Sequence, residues 1–270
     1  PLLLPMSSSL STSKPQEMKP KKSLGQNFLI DKNIVQKIIK TADINKNDIV
    51  LEIGPGKGAL TKELAKLAKK IIAIEKDERL ASLLKIENVE IITGDALKDL
   101  PEIKGEYKVV ANIPYYLTSF LIRKLLEMEN KPQEIVLLVQ KEVAQRICAQ
   151  PGKMNLLAVS VNYYAKPTIK GFVSKNCFWP KPKVDSAILK MIPLKRKKDD
   201  FFFKIVKTSF SQPRKQLINN LSSGLKIKKE RTEYVLNKSG INPKSRAQEL
   251  NINDWLKLSS YFVKENIVKE

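Results

Sequence analysis

Short apolar runs alternate with helical patterns through most of the chain. Five such runs predict buried strands near 49–53, 71–75, 89–92, 107–111 and 135–139. The segments between them predict helices near 58–69, 77–85, 118–128 and 141–149, and an earlier helix with Ile34, Val35, Ile38 and Ile39 begins near Asp31. Strands that alternate with helices in this way form a parallel sheet covered on both faces.

The pattern changes after Pro151. A helix near 154–165 precedes two more strands, near 168–174 and 184–192, whose short connection FWPKPK suits antiparallel pairing. We therefore predict an α/β fold with a seven-stranded sheet in which the last strand is antiparallel.

The two ends of the chain differ from this α/β part. Residues 1–20 are rich in Pro, Ser and Thr without an apolar period, which predicts a disordered lead. The charged run at 195–198 indicates a linker, and beyond it only helices are predicted. One of these has Pro213 in its first turn, and others lie near 230–239, 245–250 and 253–263. The predicted domains are thus an α/β domain at 21–194 and an all-helical domain at 195–270.

Composition excludes several kinds of chemistry. The 270 residues contain no histidine, so there is no imidazole base, no Ser-His-Asp triad and no histidine-containing zinc site. Cys148 and Cys177 are too few for a four-thiolate site, so we expect no metal and a reducing compartment. No apolar stretch is long enough for a membrane helix. The formal net charge of +21 favours a nucleic-acid partner.

A glycine-rich turn follows the first strand of the sheet. In LEIGPGKGAL, Gly54, Gly56 and Gly58 allow backbone N–H groups to approach a ligand closely, although such a turn can also be only a backbone device. Glu75 ends the next strand, at the spacing of a carboxylate that binds both hydroxyls of a ribose. Asp95 follows the third strand, where it accepts from an adenine amino group or simply caps the next turn.

Asn112-Ile113-Pro114-Tyr115-Tyr116 follows the fourth strand and is the most specific segment. The exocyclic amine of a base is a poor nucleophile because its lone pair is delocalised into the ring. The Asn112 side-chain oxygen and the Ile113 carbonyl can accept its hydrogens and direct the lone pair at a methyl donor, while Pro114 restricts Ile113. Tyr115 offers a face on which an extruded base stacks. The alternative is a turn with a core aromatic residue.

The segment Phe178-Trp179-Pro180-Lys181-Pro182-Lys183 contains further candidate contacts. Phe178 could cover the other face of the base, and Lys181 and Lys183 could contact phosphates. A stiff surface turn is the alternative for this segment.

Seven motifs between about Lys21 and Phe262 allow comparison with known families. They are SLGQNFLID at 23–31, LEIGPGKGALT at 51–61, AIEKD at 73–77, GDAL at 94–97, NIPYYLTS at 112–119, FWPKPKVDSAIL at 178–189 and GINPKSRAQEL at 240–250. Together they resemble the S-adenosylmethionine-dependent ribosomal RNA adenine dimethyltransferases, in particular the KsgA (RsmA) branch that modifies small-subunit (16S) rRNA. Ile113 and Tyr116 depart from the Leu and Asn of many family members, and Tyr116 could narrow the pocket.

The resemblance implies a Rossmann-like class I methyltransferase domain, a small helical RNA-binding domain and S-adenosylmethionine as cofactor. It places the cofactor against Asn27, Leu29, Gly54, Gly56, Glu75, Lys76, Asp95, Ala96 and Asn112. It places the target base against Asn112, Ile113, Pro114, Tyr115 and Phe178, with the two aromatic rings on either side. The role of Asn27 comes from the resemblance alone, because the segment Gln26-Asn27-Phe28 otherwise predicts only a loop before a helix.

The implied function is dimethylation of two adjacent adenosines near the 3′ end of small-subunit rRNA during ribosome biogenesis. The partner would be an immature small ribosomal subunit, and we expect a cytoplasmic monomer without membrane contact, or an organellar protein if the source is a eukaryote. Three alternatives remain: an Erm-like large-subunit rRNA methyltransferase, a non-catalytic small-subunit assembly factor and, more distantly, a nicotinamide dehydrogenase.

Overall fold

The computed structural model describes residues 19–265, which contain nine strands and ten α-helices. The strands are β1 Phe28–Leu29, β2 Ile49–Ile53, β3 Lys70–Glu75, β4 Val89–Thr93, β5 Lys108–Asn112, β6 Glu134–Gln140, β7 Ala165–Val173, β8 Phe178–Trp179 and β9 Ser186–Pro193. The helices are α1 Lys32–Ala42, α2 Thr61–Ala65, α3 Glu78–Ala81, α4 Thr118–Glu127, α5 Lys141–Ile147, α6 Leu156–Tyr164, α7 Asp200–Ser209, α8 Leu217–Leu225, α9 Lys229–Lys238 and α10 Ile252–Lys264. The predicted lead at 1–20 lies outside the described residues except for its last two positions.

Seven strands form one sheet in the order β4-β3-β2-β5-β6-β9-β7. Strands β2 to β6 are parallel, and β9 is antiparallel to both β6 and β7, so β9 alone in this sheet runs against the others. Neighbouring residues on β2 and β5, such as Val50 with Leu51 and Val109 with Val110, are completely buried. Because neighbours on a strand face opposite sides, helices must cover both faces. The predicted seven-stranded sheet with an antiparallel last strand is confirmed.

A second, two-stranded sheet connects two distant segments. In it β1 and β8 are antiparallel, with Phe28 opposite Trp179 and Leu29 opposite Phe178. The sequence predicted loops in both places, because two residues are too few for a periodic signal. This pairing brings SLGQNFLID and FWPKPKVDSAIL together.

Two predicted helices are shorter than expected. The segment predicted at 58–69 contains only α2, which begins at Thr61 because Gly58 has the left-handed φ of 78° and cannot belong to the helix. The segment predicted at 77–85 contains only α3, whose first turn is capped by the Asp77 side chain.

The C-terminal part consists of α7 to α10, as predicted, with two corrections. Pro213 is not in the first turn of a helix: α8 begins at Leu217, and Pro213 lies in the preceding turn, where the Lys215 N–H bonds to the Gln212 carbonyl. The helix predicted at 245–250 is only a 3-10 turn at Ala247–Glu249. Over residues 19–265, no helix combines the length and apolarity needed to cross a membrane.

Aromatic packing joins the helical part to the sheet part. Tyr163 and Tyr164 at the end of α6 contact Phe202 and Phe203 of α7, with a centroid separation of 4.4 Å for Tyr163 and Phe202. One continuous hydrophobic cluster includes buried residues of both parts, such as Val109 in the sheet and Trp255 in the helices.

The run predicted as a linker at 195–198 is bound to the sheet part. The Arg196 guanidinium donates to the Tyr163 carbonyl at 2.9 Å, and the Lys131 ammonium donates to the carbonyls of Leu194 and Arg196. These groups are therefore structural contacts rather than free cations.

Candidate functional site

A cavity opens at the carboxyl ends of β2, β3 and β5, where the order of strands in the sheet reverses. Ile53, Glu75 and Asn112, at or near the ends of these three strands, line it. Ligands of open α/β sheets bind at such a reversal. The predicted cofactor residues that line the cavity are Asn27, Leu29, Gly54, Gly56, Glu75, Lys76, Asp95, Ala96 and Asn112.

The glycine turn forms the floor of the cavity. Gly54 and Gly56 have φ values of 69° and 58°, which side chains disfavour. A Cβ atom on Gly56 would also lie 3.1 Å from the Phe28 ring, which packs over the turn from β1. The turn therefore needs glycine both for its backbone conformation and for its contact with β1.

Glu75 binds the glycine turn directly. Its two carboxylate oxygens accept the N–H of Gly56 at 3.0 Å and that of Asp77 at 2.8 Å. Burial raises the pKa of Glu75, and these N–H groups oppose that increase. Each carboxylate oxygen has a second lone pair, so the side chain can still accept from a ligand hydroxyl.

Asp95 has the local role that the sequence left open, because one of its oxygens accepts the Leu97 N–H at 2.9 Å and so caps the following turn. The other oxygen forms an ion pair of 2.7 Å with the Lys76 ammonium. The hydrogen bond from Lys76 is the main reason why the pKa of Asp95 lies below its usual value. Lys76 thus competes with any amino group that approaches Asp95.

Asn112 faces the cavity from the end of β5. Its Nδ2 donates to the Asn27 carbonyl at 3.1 Å, and the Asn27 side chain in turn donates to the Gly25 carbonyl at 3.1 Å. Within residues 19–265 its Oδ1 accepts no hydrogen bond, so that oxygen is free for a ligand. The hydrogen bond from Nδ2 fixes the orientation of the Asn112 amide, and this determines the direction in which Oδ1 points.

The residues after Asn112 form a rigid turn. Ile113 is buried, and Pro114 has φ −55° and ψ 132° ahead of the 3-10 turn Tyr115–Leu117. The Tyr115 carbonyl accepts from the Thr118 hydroxyl at 2.9 Å, and the Tyr115 hydroxyl lies 2.7 Å from Ser186 Oγ. Ile113, Pro114 and Tyr115 all line the cavity.

Phe178 is not brought to the cavity with the other predicted residues. Its side chain is only 3% exposed and belongs to the buried cluster that contains Leu29, Val173 and Ile188. Its neighbour Trp179 is exposed instead, and the Lys57 ammonium lies 4.8 Å from the Trp179 ring centroid. The pairing of β8 with β1 accounts for this placement.

Asp77 anchors the loop that carries Asn27. Its buried carboxylate binds the Arg79 guanidinium at 2.7 Å, the Gln26 amide at 3.0 Å and the Lys21 ammonium at 3.2 Å. The Arg79 hydrogen bonds are the main reason why the pKa of Asp77 lies far below its usual value. The sequence did not identify these contacts, because Gln26 and Asp77 are 51 residues apart.

Glu52 is a second residue that the sequence analysis missed. It lies in β2 beneath the glycine turn, lines the cavity and is 1% exposed. Its Oε2 accepts no hydrogen bond among the described residues. Burial raises the pKa of Glu52 from 4.5 to about 8, against the opposing effect of the nearby Thr61 hydroxyl and N–H, and the charge of Glu75 adds to the increase. The sequence feature that could have identified Glu52 is the presence of an acidic residue inside the otherwise apolar run IVLEI.

These features fit a nucleoside with a cationic side chain. The cavity walls contain the carboxylates of Glu75 and Asp95 and the buried carboxyl group of Glu52, one oxygen of which accepts no hydrogen bond among the described residues. The glycine turn provides close backbone approach on one side, and Asn112 offers a free acceptor on the other. In the part of the chain that the structure describes, no group of three or more acidic or cysteine side chains could hold a metal.

Comparison with known proteins identifies the fold and the family. The sequence model described as Ribosomal RNA adenine dimethylase matches residues 17–264. The chain belongs to this family. It is 42% identical over 252 residues to ribosomal RNA small subunit methyltransferase A of Dehalococcoides mccartyi, an alignment that covers 88% of this chain and 87% of the relative.

Solved structures of the family and its relatives have the same architecture. A dimethyladenosine transferase from Plasmodium falciparum matches with a TM-score of 0.79 and 32% identity, over 89% of this chain and 98% of that one. The 23S rRNA methyltransferase ErmE matches with a TM-score of 0.71 and 27% identity, over 87% of this chain and 99% of that one. The predicted class I methyltransferase fold with C-terminal helices is confirmed, and methyltransferases of this fold generally use S-adenosylmethionine.

Proposed function

We propose that this dimethylase transfers methyl groups from S-adenosylmethionine to the exocyclic amines of two adjacent adenosines near the 3′ end of small-subunit rRNA. The observation that carries the proposal is the free Oδ1 of Asn112 at the edge of a cavity built for a nucleoside. The name and 42% identity of the D. mccartyi relative support the small subunit as substrate, since the identity to ErmE is only 27%.

The chain activates the amine by accepting its hydrogens. Asn112 Oδ1 and the Ile113 carbonyl are the two acceptors, and the Asn27 carbonyl holds the amide of Asn112 in the orientation that exposes its oxygen. With both hydrogens held by acceptors, the nitrogen becomes pyramidal and its lone pair is localised on nitrogen instead of being delocalised into the π system. The excess proton leaves to water after transfer, so the absence of histidine is no obstacle.

The cofactor supplies an electrophilic methyl group on a positively charged sulfur. In our proposal Glu75 holds its ribose, Asp95 and Ala96 contact its adenine, and Asn27, Leu29 and Gly54 surround its methionine end. Glu52 adds a buried carboxyl group to the same cavity. Asp95 must exchange its contact with Lys76 or share it with the adenine, because the two groups form an ion pair in the protein.

Tyr115 supplies a face for the extruded base, because it lines the cavity and is held at both its hydroxyl and its carbonyl. The second face is assigned to Phe178 by resemblance. A base reaches Phe178 only after β8 moves, since the ring is 3% exposed beneath the β1–β8 pair. Phe178→Leu separates these cases: slower transfer with unchanged stability supports stacking, and lower stability with normal transfer supports a packing role.

We propose that the protein acts as a cytoplasmic monomer on an immature small subunit. Residues 195–270 contain 18 basic and 8 acidic side chains, so the helical domain has the higher density of positive charge and is the proposed RNA-binding domain. Lys181 and Lys183 are exposed on the FWPKPK segment and remain candidates for phosphate contacts.

The test is methylation of purified small and large subunits side by side with labelled cofactor, followed by mapping of the modified adenines. Label on two adjacent adenosines of the small subunit supports the proposal. Label on the large subunit selects an Erm-like activity, and binding without label selects an assembly factor.

Asn112→Ala tests the site within the same assay. We expect its single-turnover rate to fall by at least about 100-fold, because a preorganised acceptor is lost, while calorimetry shows little change in cofactor affinity. A normal rate for this variant contradicts the role of Asn112.

A further inference from the structure

Ser186 and Tyr115 form a hydrogen bond between two separate motifs. Their oxygens are 2.7 Å apart, although the residues are 71 positions apart in the chain. Tyr115 belongs to the NIPYYLTS segment that lines the cavity, and Ser186 belongs to FWPKPKVDSAIL, whose Phe178 is buried elsewhere. Ser186 therefore connects the second motif to the cavity.

Ser186 is a rigid anchor. It is the first residue of β9, is completely buried and is opposite Gln140 of β6 and Val173 of β7. Because its backbone is fixed by strands on both sides, its hydroxyl has little freedom to move away from Tyr115.

The other end of Tyr115 is also fixed, since its carbonyl accepts from the buried Thr118 hydroxyl. With the backbone held, the plane of the ring still depends on rotation about two side-chain bonds. The hydroxyl oxygen lies on the axis of the second rotation, so the hydrogen bond at the tip of the ring fixes mainly the first rotation, which sets where the ring lies. Burial raises the pKa of Tyr115, which keeps the phenol protonated and able to donate.

We propose that Ser186 is a positioning residue that fixes the position of the Tyr115 ring against the target base. The proposal rests on the proposed function, in which Tyr115 stacks on the extruded adenine. A ring that can swing about its first side-chain bond samples positions that do not align the amine with the methyl donor, so fewer bound complexes react. Ser186 does not line the cavity, so we expect its replacement to leave the affinity for the cofactor unchanged.

The test compares Ser186→Ala, Tyr115→Phe and the double variant, since either single change removes the same hydrogen bond. The control is Ser239→Ala, which removes another buried serine hydroxyl, bonded to the Val235 carbonyl in α9. Single-turnover methylation of small subunits, cofactor affinity and the midpoint of thermal unfolding are measured for each. We expect both single variants to be about five- to tenfold slower, and the double variant to be no slower than either.

Two outcomes overturn the proposal. One is a normal rate for Ser186→Ala, and the other is a double variant whose slowing is the product of the two single effects. If Ser186→Ala does not fold, Tyr115→Phe alone tests the bond: a tenfold lower rate with unchanged cofactor affinity supports it, and a normal rate refutes it.

A second readout separates this proposal from the proposed function. RNA with 2-aminopurine at the target position loses fluorescence when the base stacks on Tyr115, and this signal needs no methyl transfer. Weaker quenching in Ser186→Ala than in Ser239→Ala supports the positioning role, and equal quenching contradicts it. Failure of the proposed function is instead seen as an unmethylated small subunit with the unaltered protein.

Discussion

The buried carboxyl group of Glu52 makes stability depend on pH in a predictable direction. Its pKa is about 8 in the folded protein, against an ordinary value of 4.5. Below pH 4.5 the group is protonated in both states and has no effect. As the pH rises from 4.5 to 8, the unfolded chain loses the proton and the folded protein keeps it, so stability is lost over this window and the loss is complete above pH 8.

The magnitude follows from the two pKa values, 4.5 and about 8. Their difference corresponds to roughly 5 kcal/mol of unfolding free energy when fully developed, and roughly 3 kcal/mol of this is lost between pH 6 and pH 9. Gln keeps the size of the side chain and cannot ionise. Glu52→Gln should therefore become more stable relative to the unaltered protein by about 3 kcal/mol between these pH values.

Urea unfolding at pH 6 and pH 9 without cofactor measures this difference. Comparison with the variant cancels the other titrating groups, and Glu102→Gln, which removes an exposed carboxylate, is the control for loss of charge. If the Glu52→Gln and unaltered proteins differ equally at both pH values, the carboxyl does not keep its proton and the reasoning is wrong.

Three further predictions concern the cavity and the RNA. Glu75→Ala should weaken cofactor binding at least tenfold in calorimetry, because the ribose and the Gly56 N–H lose their acceptor; unchanged affinity would count against its role. Gly58→Ala should destabilise the protein by about 2–4 kcal/mol, since its Cβ would lie 2.6 Å from the Leu84 side chain, whereas Gly105→Ala, with the similar φ of 82° and open space, should cost only about 1 kcal/mol in thermal unfolding. RNA affinity should fall by roughly 1,000-fold between 50 and 200 mM salt, and a flat salt profile in filter binding would exclude a phosphate-dominated interface.

The parts of the fold that were predictable have strong local signals. Apart from Glu52, the runs at 49–53 and 135–139 are apolar because both faces of their strands are buried, and their bounds match β2 and lie within β6. The last antiparallel strand was predictable because the FWPKPK connection is too short for a crossover helix. The prediction of a helix with Pro213 in its first turn was wrong because a proline fits a tight turn as well as the start of a helix.

The site was predictable only where its chemistry lies at strand ends. Glu75 and Asn112 follow apolar runs, and their placement at one edge of the sheet is a consequence of parallel strands. The burial of Phe178 was not predictable, because it depends on the pairing of two short strands about 150 residues apart. The contacts of Asp77 with Gln26 and of Tyr115 with Ser186 are likewise long-range and produce no periodic pattern in the sequence.

The shared aromatic packing of Tyr163, Tyr164, Phe202 and Phe203 has a consequence for how the enzyme meets its substrate. The helical part and the sheet part share one hydrophobic interior, so they cannot hinge freely. We expect them to unfold in a single cooperative step. Truncation at residue 194 would remove Phe202 and Phe203, expose Tyr163 and Tyr164 to water and promote aggregation. We therefore expect the RNA to change its shape to fit a rigid protein surface, and we do not expect the two parts of the protein to close around it.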